Sequence, residues 1–164
     1  MKDILMTGFC GTSSELLVKK ADCKSLILPN DKILDSQILL AELERHSYEY
    51  IFSFGQKPNI RDKVYLETTA RNGDKYVHTG FAYGRLQDIL RAEKIVVRIS
   101  DHAGTSFCNA LYWNGLVSIR DQGMKAKMIF LHIPFSRNIS AAEEFFDGIL
   151  KGVKRCIEKE AGEQ

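Results

Sequence analysis

Five short apolar runs constrain this chain more than any other feature. Asp3-Ile4-Leu5-Met6-Thr7-Gly8-Phe9, Ser25-Leu26-Ile27-Leu28, Tyr50-Ile51-Phe52-Ser53-Phe54, Ile95-Val96-Val97-Arg98-Ile99 and Lys127-Met128-Ile129-Phe130-Leu131-His132-Ile133 are strand-length and mostly close on Gly or Pro. Between them lie helical patterns. Ser13 or Ser14 can cap a helix through Glu15-Leu16-Leu17-Val18-Lys19-Lys20. Leu34, Ile38, Leu39 and Leu43 recur at helical spacing, with Glu42, Glu44 and Arg45 on the other side. Strand alternating with helix predicts an α/β fold, a largely parallel sheet with helices on its faces.

The remaining segments are read with the same rules. Residues 64–72 alternate well enough for one further strand, and 73–87 read as loop or hairpin. Ser140-Ala141-Ala142-Glu143 has the form of a capping box. It opens a last helix whose stripe is Phe145, Ile149, Val153, Cys156 and Ile157. Without repeats, low-complexity segments or a linker, residues 1–164 are expected to form a single domain.

Composition narrows the function classes. A net charge of +2, with no basic run longer than Lys19-Lys20, argues against nucleic acid or an anionic membrane as partner. No apolar run approaches a membrane span, and Met1-Lys2-Asp3 leads straight into the first strand pattern rather than a signal peptide. Cys10, Cys23, Cys108 and Cys156 are scattered without a C-x-x-C pair, so neither a zinc site nor a disulfide framework is suggested. A reducing, cytoplasmic location is expected.

The stretch Asp101-His102-Ala103-Gly104-Thr105-Ser106-Phe107-Cys108-Asn109 carries the chemistry. A strand signal passes through a Gly/Ser/Thr break into a helical pattern. Thr105 or Ser106 is placed as N-cap, which puts Cys108 in the first turn. The positive end of the helix favours a thiolate there, so Cys108 is expected to be the most reactive of the four cysteines. Cysteines also occur as small buried hydrophobes.

Ligands of parallel α/β sheets bind beyond the carboxyl ends of the strands. His132 stands at such an end, and Glu67 lies in Arg61-Asp62-Lys63-Val64-Tyr65-Leu66-Glu67. Cysteine, histidine and carboxylate are the parts of a nucleophile, its base and the group that orients the base. Other readings stay open on these residues alone. His132 fits a hydrogen-bonded structural histidine, Glu67 a solvated charge, and Asn109 a residue that solvates the helix start. His102 is a competing base, while His46 and His78 sit in polar stretches.

Several motifs together resemble one family. Ala103-Gly104-Thr105-Ser106-Phe107-Cys108-Asn109 is similar to the A-G-T-x-x-C-N segment around the nucleophile of pyroglutamyl peptidase I, the pyrrolidone-carboxylate peptidase. His132-Ile133-Pro134 resembles that family's H-I-P segment. Gly55-Gln56, Arg61, Glu67, Ala70 and Asn72 resemble its G-Q…R…E-x-x-A-x-N pattern, and Met6-Thr7-Gly8-Phe9 its opening. The resemblance implies a three-layer α/β/α sandwich with a mostly parallel mixed central sheet. It implies a cysteine peptidase that removes N-terminal pyroglutamate from peptides without metal or cofactor. Cys108 would attack, His132 move the proton and Glu67 orient His132, with Phe9, Gln56 and Arg61 on the substrate side. Homo-oligomers are usual in such a family.

The chain also departs from that pattern. The family loop G-F-x-P-F-G-G reads Gly8-Phe9-Cys10-Gly11-Thr12-Ser13-Ser14 here, and the aromatic two residues before the nucleophile is Ser106. One residue is inserted between Gln56 and Arg61, the arginine-bearing pattern after Asn72 is missing, and the chain is short. These changes fall mainly on the pocket for the pyroglutamyl ring. An altered amide substrate is thus one expectation, and a non-catalytic ligand- or peptide-binding relative of the same fold is the alternative. A flavodoxin-like regulatory or nucleotide-binding module ranks last, because Gly8 and Gly11 are too few for a phosphate loop.

Overall fold

The computed structural model describes residues 3–162. These form eight strands, five α-helices and one 3-10 turn, in the order β1 (Ile4–Phe9), α1 (Ser13–Lys19), β2 (Lys24–Leu28), α2 (Leu34–Arg45), β3 (Tyr50–Lys57), β4 (Lys63–Glu67), β5 (Thr69–Asn72), β6 (Lys75–His78), α3 (Tyr83–Ala92), β7 (Val96–Ser100), α4 (Phe107–Asp121), β8 (Lys127–Pro134), the turn Ser136–Asn138 and α5 (Ala142–Gly162).

Six strands make one sheet, in the order β2-β1-β3-β8-β4-β7. All neighbours are parallel except β4 and β8, which run antiparallel. The sheet is therefore mixed and mostly parallel, as expected. β3 and β8 lie at its centre, and β3 is buried from Tyr50 to Gly55, which explains why both read as nearly unbroken apolar runs. Helices cover both faces. On one side Leu17 and Val18 of α1, Leu86 and Leu90 of α3, and Phe145, Ile149 and Val153 of α5 pack with Phe52, Phe54, Ile129 and Leu131. On the other, Leu39 and Leu43 of α2 and Leu111, Tyr112 and Leu116 of α4 pack with Leu5, Ile51, Met128 and Phe130.

Four local expectations need correction. Residues 64–72 are two strands in two sheets. β4 ends at Glu67, Thr68 donates its N–H to the Ser100 carbonyl at 2.7 Å, and β5 then pairs with β6 as a separate hairpin. Residues 73–87 hold β6 and the start of α3. The stripe Leu86, Ile89 and Leu90 drives that helix, and Gly84 sits in its first turn, where its low propensity does least harm. α1 is capped by Thr12, whose hydroxyl accepts from the Ser14 N–H, while Ser13 and Ser14 lie inside the helix. The capping box at α5 does not form. The Ser140 N–H donates to Asp62 Oδ1 at 2.7 Å and its hydroxyl to Asp62 Oδ2 at 2.6 Å, so a carboxylate from the loop before β4 has taken the partner's place.

Gly8 fixes how closely α1 lies on β1. A Cβ at this position would stand 2.7 Å from the Ser14 backbone oxygen, and backbone cannot swing aside as a side chain can. Gly8→Ala is expected to destabilise the fold by about 1–3 kcal/mol, as overpacking does. Urea denaturation checks this, and a loss below about 0.5 kcal/mol would mean that α1 shifts freely.

Candidate functional site

β3, β8 and β4 lie side by side, and their register sets the site. Gly55 of β3 is the partner of His132 on β8, and His132 is in turn opposite Tyr65 on β4. Side chains at these positions share the face covered by α2 and α4. Because β4 runs against β8, Glu67 lies opposite Phe130, one diagonal step from His132. The diagonal is bridged. His132 Nδ1 donates to Glu67 Oε1 at 2.8 Å, with His132 4% exposed and Glu67 fully buried. With Nδ1 given to the carboxylate, Nε2 is the nitrogen left to accept a proton. The Phe130 ring packs against the imidazole at 5.0 Å between centroids.

Cys108 arrives from α4. It lies in the first turn, as expected, though the Ser106 side chain makes no capping bond and the helix opens on the backbone bond from the Ala110 N–H to the Ser106 carbonyl. Its thiol occupies the space above Gly55, where a Cβ would stand 2.5 Å from Sγ and 2.9 Å from Phe130 Cζ. The strand therefore needs glycine there for the sulfur to reach the sheet, one strand spacing from the His132 backbone. Further along α4, the Tyr112 hydroxyl donates to the Glu67 carbonyl at 2.7 Å, tying the helix of Cys108 to the strand of Glu67. Asn109 does not solvate the helix start. Its side chain accepts from the Arg71 N–H at 2.9 Å and donates to the Arg71 carbonyl at 2.8 Å, which pins the β5–β6 hairpin to α4.

The electrostatics of the cysteine differ from the sequence expectation. Burial pushes the Cys108 thiol up to about 12, with the Glu67 charge next in weight. Its backbone hydrogen bond and the Lys57 charge pull the other way and are outweighed. Desolvation thus overcomes the helix end, and the resting group is a thiol.

The other candidates lie around this centre. Phe9 is 3% exposed and packs in the core with Leu28, Leu39 and Leu111. Gln56 Oε1 accepts from the Ser13 N–H at 3.1 Å, and the Ser13 hydroxyl donates to the Pro134 carbonyl at 2.6 Å, so these groups join α1 to the ends of β3 and β8. Arg61 donates to Asn138 Oδ1 at 3.2 Å on the surface. His102 is exposed, its Nδ1 accepting from the Gly104 N–H at 3.2 Å, and His78 bonds Thr69. Among the described residues no three His, Cys, Asp or Glu side chains cluster as a metal site requires, and no helix is long and apolar enough to cross a membrane. Sequence reasoning overlooked Lys57 and Tyr112, and it saw Gly55 only as a strand end. A glycine inside an otherwise bulky strand was the available signal.

Comparison with known proteins gives these positions a context. No family model matches the chain. It is 27% identical to the pyrrolidone-carboxylate peptidase of Fusobacterium nucleatum subsp. nucleatum over 202 positions, covering 96% of this chain and 92% of that protein. That span exceeds the 164 residues here, so the relative carries segments this chain lacks. A 47-residue stretch is 45% identical to the pyrrolidone-carboxylate peptidase of Thermococcus kodakarensis, covering 29% of this chain and 23% of that protein. Among solved structures, pyrrolidone carboxyl peptidase from Thermococcus litoralis superposes with a TM-score of 0.84 at 19% identity, covering 100% of this chain and 97% of that one. Pyroglutamyl peptidase I from Bacillus amyloliquefaciens gives 0.80 at 21%, covering 93% and 91%. The fold is that of these peptidases, and the similarity to the Fusobacterium protein runs along nearly the whole chain.

The raised thiol makes a direct prediction for the free protein. Iodoacetamide alkylation of Cys108 should climb about tenfold per pH unit from about pH 7 to 10, because the thiolate fraction does so below the pKa. Peptide mapping across pH measures it. A plateau reached below about pH 8 would mean that Cys108 rests as a thiolate.

Proposed function

Taking the chain as a divergent relative of the pyrrolidone-carboxylate peptidases, we propose that it is a cysteine hydrolase that cleaves an N-terminal pyroglutamyl or closely related residue from peptides. The observation that carries this reading is the buried His132–Glu67 hydrogen bond, with the Cys108 thiol seated on Gly55 in the adjacent strand. In the proposed reaction His132 Nε2 takes the thiol proton as Cys108 Sγ attacks the substrate carbonyl. The N–H groups at the start of α4, which a helix leaves without partners inside itself, would stabilise the oxyanion that forms. Collapse breaks the C–N bond and leaves a thioester on Cys108, while His132 passes its proton to the departing amine. Water, activated by His132, then releases the acid and restores the thiol. Glu67 accepts from Nδ1 throughout, stabilising the imidazolium and fixing the ring.

The substrate pocket is the altered part. Phe9 lies in the core, and Ser13 and Ser14 are buried in the bonds that seat α1, with the Phe9 N–H donating to Ser14 Oγ at 2.9 Å. Ser106 stands where the resemblance leads one to expect a ring, and Phe107, 40% exposed, is the aromatic beside the nucleophile. Loss of an aromatic clamp costs about 0.5–1.5 kcal/mol per well-packed contact. The reading extends to a cytoplasmic, cofactor-independent enzyme that works as a homo-oligomer of one-domain chains.

Steady-state hydrolysis of pyroglutamyl-aminomethylcoumarin tests the proposal. Turnover should occur with a high KM, vanish in Cys108→Ala, and fall by about 10²–10⁴ in His132→Ala, as loss of a general base does. His102→Ala should retain it. No Cys108-dependent turnover on any pyroglutamyl amide would favour a ligand-binding relative instead.

A further inference from the structure

We propose that Lys57 is a positioning residue for the Glu67–His132 pair, an ammonium that keeps the buried carboxylate ionised and His132 a neutral base. The inference rests on the hydrolase reading above for its consequences in catalysis, but its electrostatic core is a property of the folded chain. Glu67 has no exposed surface, and its Oε2 has no hydrogen-bond partner among the described residues. A single bond from a neutral imidazole to Oε1 is meagre compensation for a desolvated charge. Among the described residues one lysine or arginine stands within ion-pair distance of the Glu67 carboxylate. Lys57 Nζ stands 3.8 Å from that same Oε1, in a side chain only 30% exposed.

The sheet explains why the ammonium is there. Lys57 is the last residue of β3, two positions beyond Gly55 and therefore on the same face. Its ammonium lies 4.6 Å above the Tyr65 ring, and Tyr65 is the register partner of His132. The ring thus holds the cation over the pair, an arrangement that suits an ammonium. Lys57 also favours the Cys108 thiolate, against Glu67 on β4 and Asp35 on α2, which both oppose it. The groups facing the carboxylate are then His132 from β8, Lys57 from β3 and Cys108 from α4.

The sign of the effect is fixed. With the cation removed, Glu67 takes up a proton more readily and an imidazolium beside it is no longer repelled. Both changes deplete the neutral, oriented base at low pH, and both reverse as pH rises. Two variants test this, Lys57→Met, which keeps the stem without the charge, and Lys57→Arg, which keeps the charge. The measurements are kcat and KM against pH on pyroglutamyl-aminomethylcoumarin, and NMR of the His132 imidazole in 15N-histidine-labelled protein. For Lys57→Met the acid limb of kcat should move up by about one pH unit, a loss of about tenfold on that limb. KM should stay within about twofold, and the NMR midpoint of His132 should move the same way. Lys57→Arg should restore the wild-type profile. An unmoved limb and midpoint would overturn the proposal, as would a raised KM with an unmoved limb, which would make Lys57 a substrate-binding residue. If the wild-type protein shows no Cys108-dependent turnover, the hydrolase reading fails while the NMR midpoint still decides the role of Lys57.

Discussion

A carboxylate with no access to water has to be held by its neighbours, and Glu67 is the point on which the arrangement of this sheet bears most heavily. The one antiparallel pairing, β4 against β8, puts Glu67 diagonally across from His132 at hydrogen-bonding distance. Had β4 run parallel, the same sequence would meet β8 in another register. Tyr112 then fixes the Glu67 backbone from α4, and Asn109 on the same helix fixes the hairpin that follows it. The helix that carries Cys108 is thus bonded both to the strand that carries the acid and to the hairpin that follows it.

Two opposing effects act on Cys108, and their magnitudes decide the outcome. A helix N-terminus stabilises a nearby anion by roughly 0.3–1 kcal/mol when exposed and up to about 2 when partly buried. Moving a thiol from an ordinary value to about 12 reflects a larger desolvation cost. The space that buries the sulfur is the space Gly55 leaves open, so one feature both admits the Cys108 thiol to the sheet and keeps it protonated. In the proposed reaction Cys108 therefore relies on His132 to take its proton rather than on a standing thiolate.

Much of the fold was legible because β1, β2, β3 and β8 are buried strands with uniform apolar runs, bounded by Gly and Pro. The segments misread are those where tertiary partners override local pattern. Thr68 splits one alternating run by bonding to Ser100 across a strand, and Asp62 takes Ser140 from its own helix. α3 was hidden because glycines at 80 and 84 dominate a segment whose apolar stripe only begins at Leu86. At the candidate site, Cys108, His132 and Glu67 stood out by residue type and motif order. Lys57 and Tyr112 did not, since a lysine at a strand end and a tyrosine in a helix carry no signal until the register brings both to Glu67.

In the proposed reaction Cys108 forms a covalent acyl intermediate with the help of the buried His132–Glu67 pair. Acid-quenching the protein within the first turnovers of an activated pyroglutamyl ester, then mapping peptides by mass spectrometry, tests it most directly. A pyroglutamyl thioester is expected on the peptide that contains Cys108, present in the wild type and absent in His132→Ala. An adduct confined to the exposed Cys10, or one on Cys108 that forms equally well without His132, would contradict it.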